Sequence, residues 1–184
     1  MLIKKLLAAV ATLVIAGTLS ISPVKATSTQ TSVIGGMQNS VCAIVTNGTI
    51  ECWGDNSYGQ LGGGSNSSEA VPVNYIAGTW QYLFNGGAGN HTCAIKGDGT
   101  LWCWGTNSAG MLGDGTTANS GYAKQVLNLP GSADAVDVGN TETCARIGDQ
   151  AWCWGTGTNG QLGNGASVNS FVPVRVSGLT GVAQ

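Results

Sequence analysis

The sequence predicts an all-β fold, a β-propeller segment whose blades are sheets of four antiparallel strands, and three observations predict it. A unit of about 51 residues recurs three times, read off its landmark cysteines and tryptophans. Glycine is abundant, at 30 residues, and stands with Asn and Asp as punctuation between short apolar runs. Each unit carries one cysteine pair spanning a turn signal. Only 9% of residues are charged, yet six Trp and a hydrophobic fraction of 42% supply ample material for a core.

Residues 1–26 stand apart from the repeats. Lys4 and Lys5 form a positive start, Leu6 to Ile21 is apolar except for Thr12, Gly17, Thr18 and Ser20, and Val24-Lys25-Ala26 offers a small-residue cleavage site. That is the pattern of a secretory signal peptide, too short for a spanning helix of about 20 residues. Cleavage after Ala26 leaves no stable membrane anchor, and the product is expected to be secreted or held at the cell surface. It also moves the formal charge from −2 to −5, leaving Lys96, Lys124, Arg146 and Arg175 as the basic residues. Phosphate backbones and anionic membranes are bound through clustered Lys and Arg. With no such cluster, neither nucleic acid nor a membrane surface is an expected partner.

The repeats occupy residues 27–184, in units of approximately 33–83, 84–135 and 136–184. Cys42-Ala43-Ile44, Cys52-Trp53-Gly54 and Gly59-Gln60-Leu61-Gly62 form the first series. Cys93-Ala94-Ile95, Cys103-Trp104-Gly105 and Gly110-Met111-Leu112-Gly113 form the second. Cys144-Ala145-Arg146, Cys153-Trp154-Gly155 and Gly160-Gln161-Leu162-Gly163 form the third. Within one unit the expected strands are Trp80 to Asn85, a hairpin of His91 to Lys96 with Thr100 to Trp104, and Tyr122 to Leu129. Residues 105–121 read as a glycine-rich loop. Trp80, Tyr82 and Phe84 alternate with period two and are expected to face a blade core. Trp53, Trp104 and Trp154 each follow a strand cysteine and are also expected in the core.

Six cysteines in a secreted chain point to disulfides, and the repeat selects among the fifteen pairings. Ten positions separate the cysteines of the first two units, which suits a three-residue hairpin loop ending in a left-handed glycine. Thr46-Asn47-Gly48 and Gly97-Asp98-Gly99 both supply one. In the third unit the separation is nine, which suits the two-residue loop Gly148-Asp149 with Gly first. Spacing and turn chemistry change together, so the expected bridges are Cys42–Cys52, Cys93–Cys103 and Cys144–Cys153. Each closes a loop worth about 2.5–3 kcal/mol in the chain-entropy account. The cysteines lack zinc-type spacing and His91 is the single histidine, so neither a metal nor any other cofactor is expected. His91 reads as a strand residue beside its hairpin.

The motif Trp53 through Gly64, its copy Trp154 through Gly165, and His91-Thr92-Cys93-Ala94-Ile95 resemble the regulator of chromosome condensation repeat family. The likeness covers essentially all of residues 27–184. Departures are Gly157 in place of the motif's Asn, Met111 in place of Gln, Gln125 in place of a Pro, and Asn39-Ser40 and Glu142-Thr143 where the second unit has its His. The cysteine pairs resemble the secreted bacterial branch of the family. The resemblance implies a seven-bladed propeller. It also implies binding functions, among them nucleotide exchange on a nuclear GTPase, which a secreted acidic chain would not meet.

Three units are fewer than the four to eight blades of closed propellers. Val33-Ile34-Gly35-Gly36 aligns with Phe84-Asn85-Gly86-Gly87 and with Val136-Asp137-Val138-Gly139, which suggests a shifted phase with one blade shared by strands from both termini. Three arrangements fit: an arc of a longer propeller with additional blades, self-association into a ring, or an open arc with exposed edges.

A secreted, non-catalytic binding or protein-interaction scaffold is the expected function, its partner an unknown extracellular protein or glycan met through loops. Tyr58 and Tyr122, read as exposed aromatics in glycine-rich loops, are the candidate contacts. No catalytic residues are expected: an enzyme needs a base, nucleophile or metal set in one cleft, and Asp55 and Asp114 recur in no matching pair. A carbohydrate-binding module or a polysaccharide-active enzyme is the alternative.

Overall fold

The computed structural model describes residues 34–86, 88–179 and 181–182. The expected signal peptide lies outside the described residues. Within them the chain is all-β, with twelve strands. The first four are β1 (Ile34–Gly36), β2 (Ser40–Ile44), β3 (Ile50–Gly54) and β4 (Glu69–Ile76). The next are β5 (Trp80–Asn85), β6 (His91–Lys96), β7 (Leu101–Gly105) and β8 (Ser120–Gln125). The last are β9 (Ala135–Val138), β10 (Glu142–Ile147), β11 (Gln150–Gly155) and β12 (Ser170–Arg175). They form three four-stranded antiparallel sheets, each a meander of consecutive strands. No described blade is shared between distant segments. The divisions fall before Trp80 and before Ala135, so a boundary after residue 83 would cut through β5.

Local chemistry explains the hairpins. Gly48 and Gly99 close the three-residue loops with φ of 83° and 82°, values that favour glycine. Beside them Asn47 and Asp98 each accept from the main-chain N–H and the hydroxyl of the Thr two residues on. In the third blade Ile147 pairs directly with Gln150, leaving the two-residue loop that Gly148 opens with φ 60°. These turns set each cysteine directly opposite its partner, Cys42 with Cys52, Cys93 with Cys103 and Cys144 with Cys153. The Cα atoms lie 4.1 Å apart in all three bridges.

β5 packs against both β1 and β9, so the first strand of each blade lies at the hub and β4, β8 and β12 lie at the rim. Asn85 Nδ2 donates to Gly35 O at 2.7 Å across the hub. The cores lie between blades. One joins Cys42, Ile44, Ile50, Leu61 and Ile76 of the first blade to Trp80, Leu83, Ala94 and Trp104 of the second. The other joins Ile95, Leu101, Leu112 and Val126 of the second to Val136, Val138, Ala145 and Trp154 of the third. Strand alternation delivers this. In β6, Ala94 turns to the first blade and Cys93 and Ile95 to the third, so both faces are buried.

Two expectations about register need correction. Ile34 stands opposite Ala43, Leu83 opposite Ala94 and Val136 opposite Ala145, so Ile34 corresponds to Leu83 and not to Asn85. The turn after β5 is two residues longer than the turn after β1, which displaced the glycine landmarks. By the same register Ser40, paired with Gly54, holds the place of His91, paired with Gly105. Trp80, Tyr82 and Phe84 also do not share a face. A bulge between Trp80 and Tyr82 breaks the alternation. Trp80 and Leu83 enter the first core, Phe84 packs against the second, and Tyr82 is exposed.

Candidate interaction surface

Three long loops, residues 55–68, 106–119 and 156–169, leave the ends of β3, β7 and β11. Side chains of the repeat motif hold them in shape. Asn56, fully buried, donates to Ser65 O and Ser67 O and accepts from the Leu61 N–H. Asn107 repeats this with Thr116 O, Ala118 O and the Leu112 N–H. Gly157 holds the position in the third loop, where a Cβ would fall 2.0 Å from Val168 O. Its N–H donates to Asn169 Oδ1, as the Asn107 N–H donates to Asn119 Oδ1. The sequence marked these Asn positions only as motif letters. Their role as staples shows once the loop closes back on itself.

Each loop also receives the next blade. Trp104 Nε1 donates to Gln60 O at 2.9 Å, and Trp154 Nε1 donates to Met111 O at 2.7 Å. The Thr92 hydroxyl points at the Gln60 carbonyl, and Thr143 Oγ1 lies 2.9 Å from the Met111 carbonyl. At the rim the Gly64 N–H donates to Gly121 O and the Gly115 N–H to Phe171 O. Gly59 and Gly64 are needed there, because a Cβ on either would strike Gly121 or the Tyr122 ring.

The candidate contacts flank one of these junctions. Tyr58 follows Ser57 in the first loop and is 43% exposed, while Tyr122 lies on β8 against Gly64 and is 65% exposed. The Gly59–Gly121 approach brings their neighbours together. At the second junction the exposed Phe171 takes the place of Gly121, against Gly110, and Val172 takes that of Tyr122.

The candidate carboxylates Asp55 and Asp114 and the histidine are engaged in structure. Asp55 accepts from Ser57 and Gln60, and the Ser57 hydroxyl in particular holds its pKa below the usual carboxylate value. Asp114 accepts from Thr116 and Asn107. His91 is fully buried between the second and third blades, its Nδ1 3.0 Å from Gly89 O and its Nε2 2.9 Å from Thr143 Oγ1. Desolvation lowers its pKa to about 4, so the ring is neutral at pH 7. A carbonyl can only accept, so Nδ1 carries the proton and Nε2 accepts from Thr143.

Two sequence profiles of the regulator of chromosome condensation (RCC1) repeat match the chain, one at residues 149–184 and the other at 38–60 and 87–110. The chain carries repeats of the regulator of chromosome condensation family. Among relatives, the human E3 ubiquitin-protein ligase HERC2 is 35% identical over 77 residues, 40% of this chain and 2% of the ligase. The ultraviolet-B receptor UVR8 of Arabidopsis thaliana is 31% identical over 105 residues, 55% of this chain and 24% of the receptor. Among solved structures, yeast RCC1 (Prp20) bound to Kap60 superposes with a TM-score of 0.69 at 20% identity, over 79% of this chain and 36% of that one. Human WBSCR16 superposes equally well, at 0.69 and 21% identity, over 78% and 37%. The chain thus spans a small part of these relatives and somewhat over a third of these propellers. The regulator-type repeat explains the placement of its motif: Trp-Gly ends a strand, Asn staples the loop, and Gln-Leu-Gly presents a carbonyl to the next blade.

Proposed function

We propose that this chain is a secreted, non-catalytic scaffold that binds an extracellular protein through the loops and rim of its blade junctions. The observation that carries this is the pair Tyr58 and Tyr122, two exposed aromatic side chains set on backbone that the Gly64–Gly121 hydrogen bond holds in place. Aromatic anchors on rigid backbone contribute large contact area with little ordering entropy. The apolar segment 6–21 and the three disulfides support secretion. Asp55 and Asp114 are bound into their own turns, which argues for a structural use of the carboxylates.

The test is cross-linking capture with disulfide-intact protein from the medium of the producing cells. One protein partner is expected, lost with Tyr58→Ala/Tyr122→Ala while the unfolding midpoint stays unchanged. Capture unaffected by the double substitution would overturn the assignment of the surface. Binding confined to a glycan array would favour the carbohydrate reading. Polysaccharide turnover abolished by Asp55→Asn or Asp114→Asn would establish an enzyme.

A further inference from the structure

The outer strand of each blade is a sheet edge, and its register shows which way its backbone faces. Cys93 and Cys103 are 4.1 Å apart at Cα, the close spacing of a pair that exchanges no ladder bonds. Cys103 therefore turns its N–H and C=O to β8, where it pairs with Lys124. The flanking Ala123 and Gln125 face the opposite way, out from the rim. Their main-chain groups meet no partner among the described residues.

The other two blades close this edge with proline. Val73 pairs with Cys52 and Val174 with Cys153, as Lys124 pairs with Cys103, so Pro72 and Pro173 hold the place of Ala123. By motif Gln125 stands in the place of the proline; by register that place is Ala123, and Gln125 matches Arg175. A proline there turns no N–H outward, a common guard of sheet edges. Among the described outer strands, β8 lacks that guard and β4 and β12 have it.

Charge decides what such an edge accepts. An antiparallel copy of β8 that used both outward residues would set Ala123 against Gln125 and Lys124 directly opposite Lys124. Like charges opposed in this way are destabilising, whereas a carboxylate opposite Lys124 is stabilising. Lys124 is exposed and makes no ion pair among the described residues. The edge lies at the rim, away from the junctions with the first and third blades, so it stays open whatever follows round the ring.

We propose that β8 binds an extended acidic segment of a partner protein by strand addition. The segment runs antiparallel to β8, exchanges main-chain hydrogen bonds with Ala123 and Gln125, and places a carboxylate opposite Lys124. Gly121 O is already taken by the Gly64 N–H, which confines the added strand to the 123–125 end of the edge. Tyr122, 65% exposed, lies beside that end and meets an apolar residue of the segment. Strand addition rests on the loop-and-rim reading above and specifies the chemistry of its partner.

Fluorescence anisotropy with the disulfide-intact chain tests it. The probe is a labelled heptapeptide of alternating threonine and valine with glutamate at its centre; one control has lysine there and another has N-methylated backbone amides. The glutamate peptide is expected to bind saturably, about threefold or more tighter than the lysine peptide. N-methylation is expected to weaken binding by about tenfold or more. Ala123→Pro should abolish binding with unchanged circular dichroism, because the Ala123 N–H makes no ladder bond. Lys124→Glu should reverse the preference to the lysine peptide, and amide exchange at Ala123 and Gln125 should slow when peptide binds. Absence of saturable binding, binding that survives Ala123→Pro in a folded chain, or a preference that Lys124→Glu leaves unreversed would overturn strand addition. So would a dimer that Ala123→Pro dissolves, which would give the edge to a second copy. A partner captured through Tyr58 and Tyr122 while the peptide fails to bind would sink strand addition alone and leave the scaffold reading standing.

Discussion

The indole Nε1 of Trp104 donates to the main-chain carbonyl of Gln60 across 2.9 Å, and this bond joins two blades. Trp154 makes the same bond to Met111, 2.7 Å long. Because the acceptor is backbone, Met in place of Gln costs the junction nothing. The side chain at that position works within its own loop: Gln60 Oε1 accepts from the Tyr58 N–H, and Met111 Sδ lies 3.3 Å from the Ala109 N. Trp104→Phe and Trp154→Phe should each lower stability by about 1–2 kcal/mol through the lost buried hydrogen bond, with further loss from packing. Met111→Gln should stay within about 1 kcal/mol of the parent. Urea midpoints at constant slope would measure all three.

His91 makes stability depend on pH. Its folded pKa of about 4 lies below the ordinary 6.5, so between these values the unfolded chain binds the extra proton. The contribution is full above pH 6.5 and declines as the solution is acidified, by about 3 kcal/mol at pH 4. Stability measured from pH 7 to pH 4 should show this fall, and His91→Gln should flatten that part of the profile. An equal slope in the variant would remove His91 as its source.

The disulfides act on the unfolded chain. Cys93→Ala/Cys103→Ala opens a loop of about ten residues and should lower stability by about 2.5–3 kcal/mol. A non-reducing peptide map should recover only the three adjacent pairs. Any peptide linking cysteines of different blades would contradict the hairpin register.

The third loop has adapted to its glycine. Gly157→Asn restores the repeat motif, yet its Cβ would meet Val168 O, so we expect a loss of about 1–3 kcal/mol from forced backbone movement. Asn107→Ala should instead loosen residues 106–119 by removing the bonds to Thr116 O and Ala118 O. Faster hydrogen exchange at Leu112, whose N–H donates to Asn107 Oδ1, would report it.

What the sequence determined by itself was local. Gly48, Gly99 and Gly148 with their Asn or Asp neighbours settle the hairpin loops, and those loops settle which cysteines face each other. Such features depend on residues within one hairpin, so spacing and turn chemistry suffice to read them. The blade strands were legible for the same reason, except where a two-residue difference in turn length misaligned Ile34 with Asn85, and where the bulge after Trp80 ended a clean alternation.

Only the tertiary structure decided where the core lies. Trp53, Trp104 and Trp154 occupy one position of the repeat, yet only the latter two are fully buried, because each has a preceding blade whose loop supplies a carbonyl and apolar wall. Burial of a side chain depends on neighbours that arrive from some 40 residues away, as Gln60 does for Trp104. The motif cannot report that difference. It lies in whether another blade stands beside the residue.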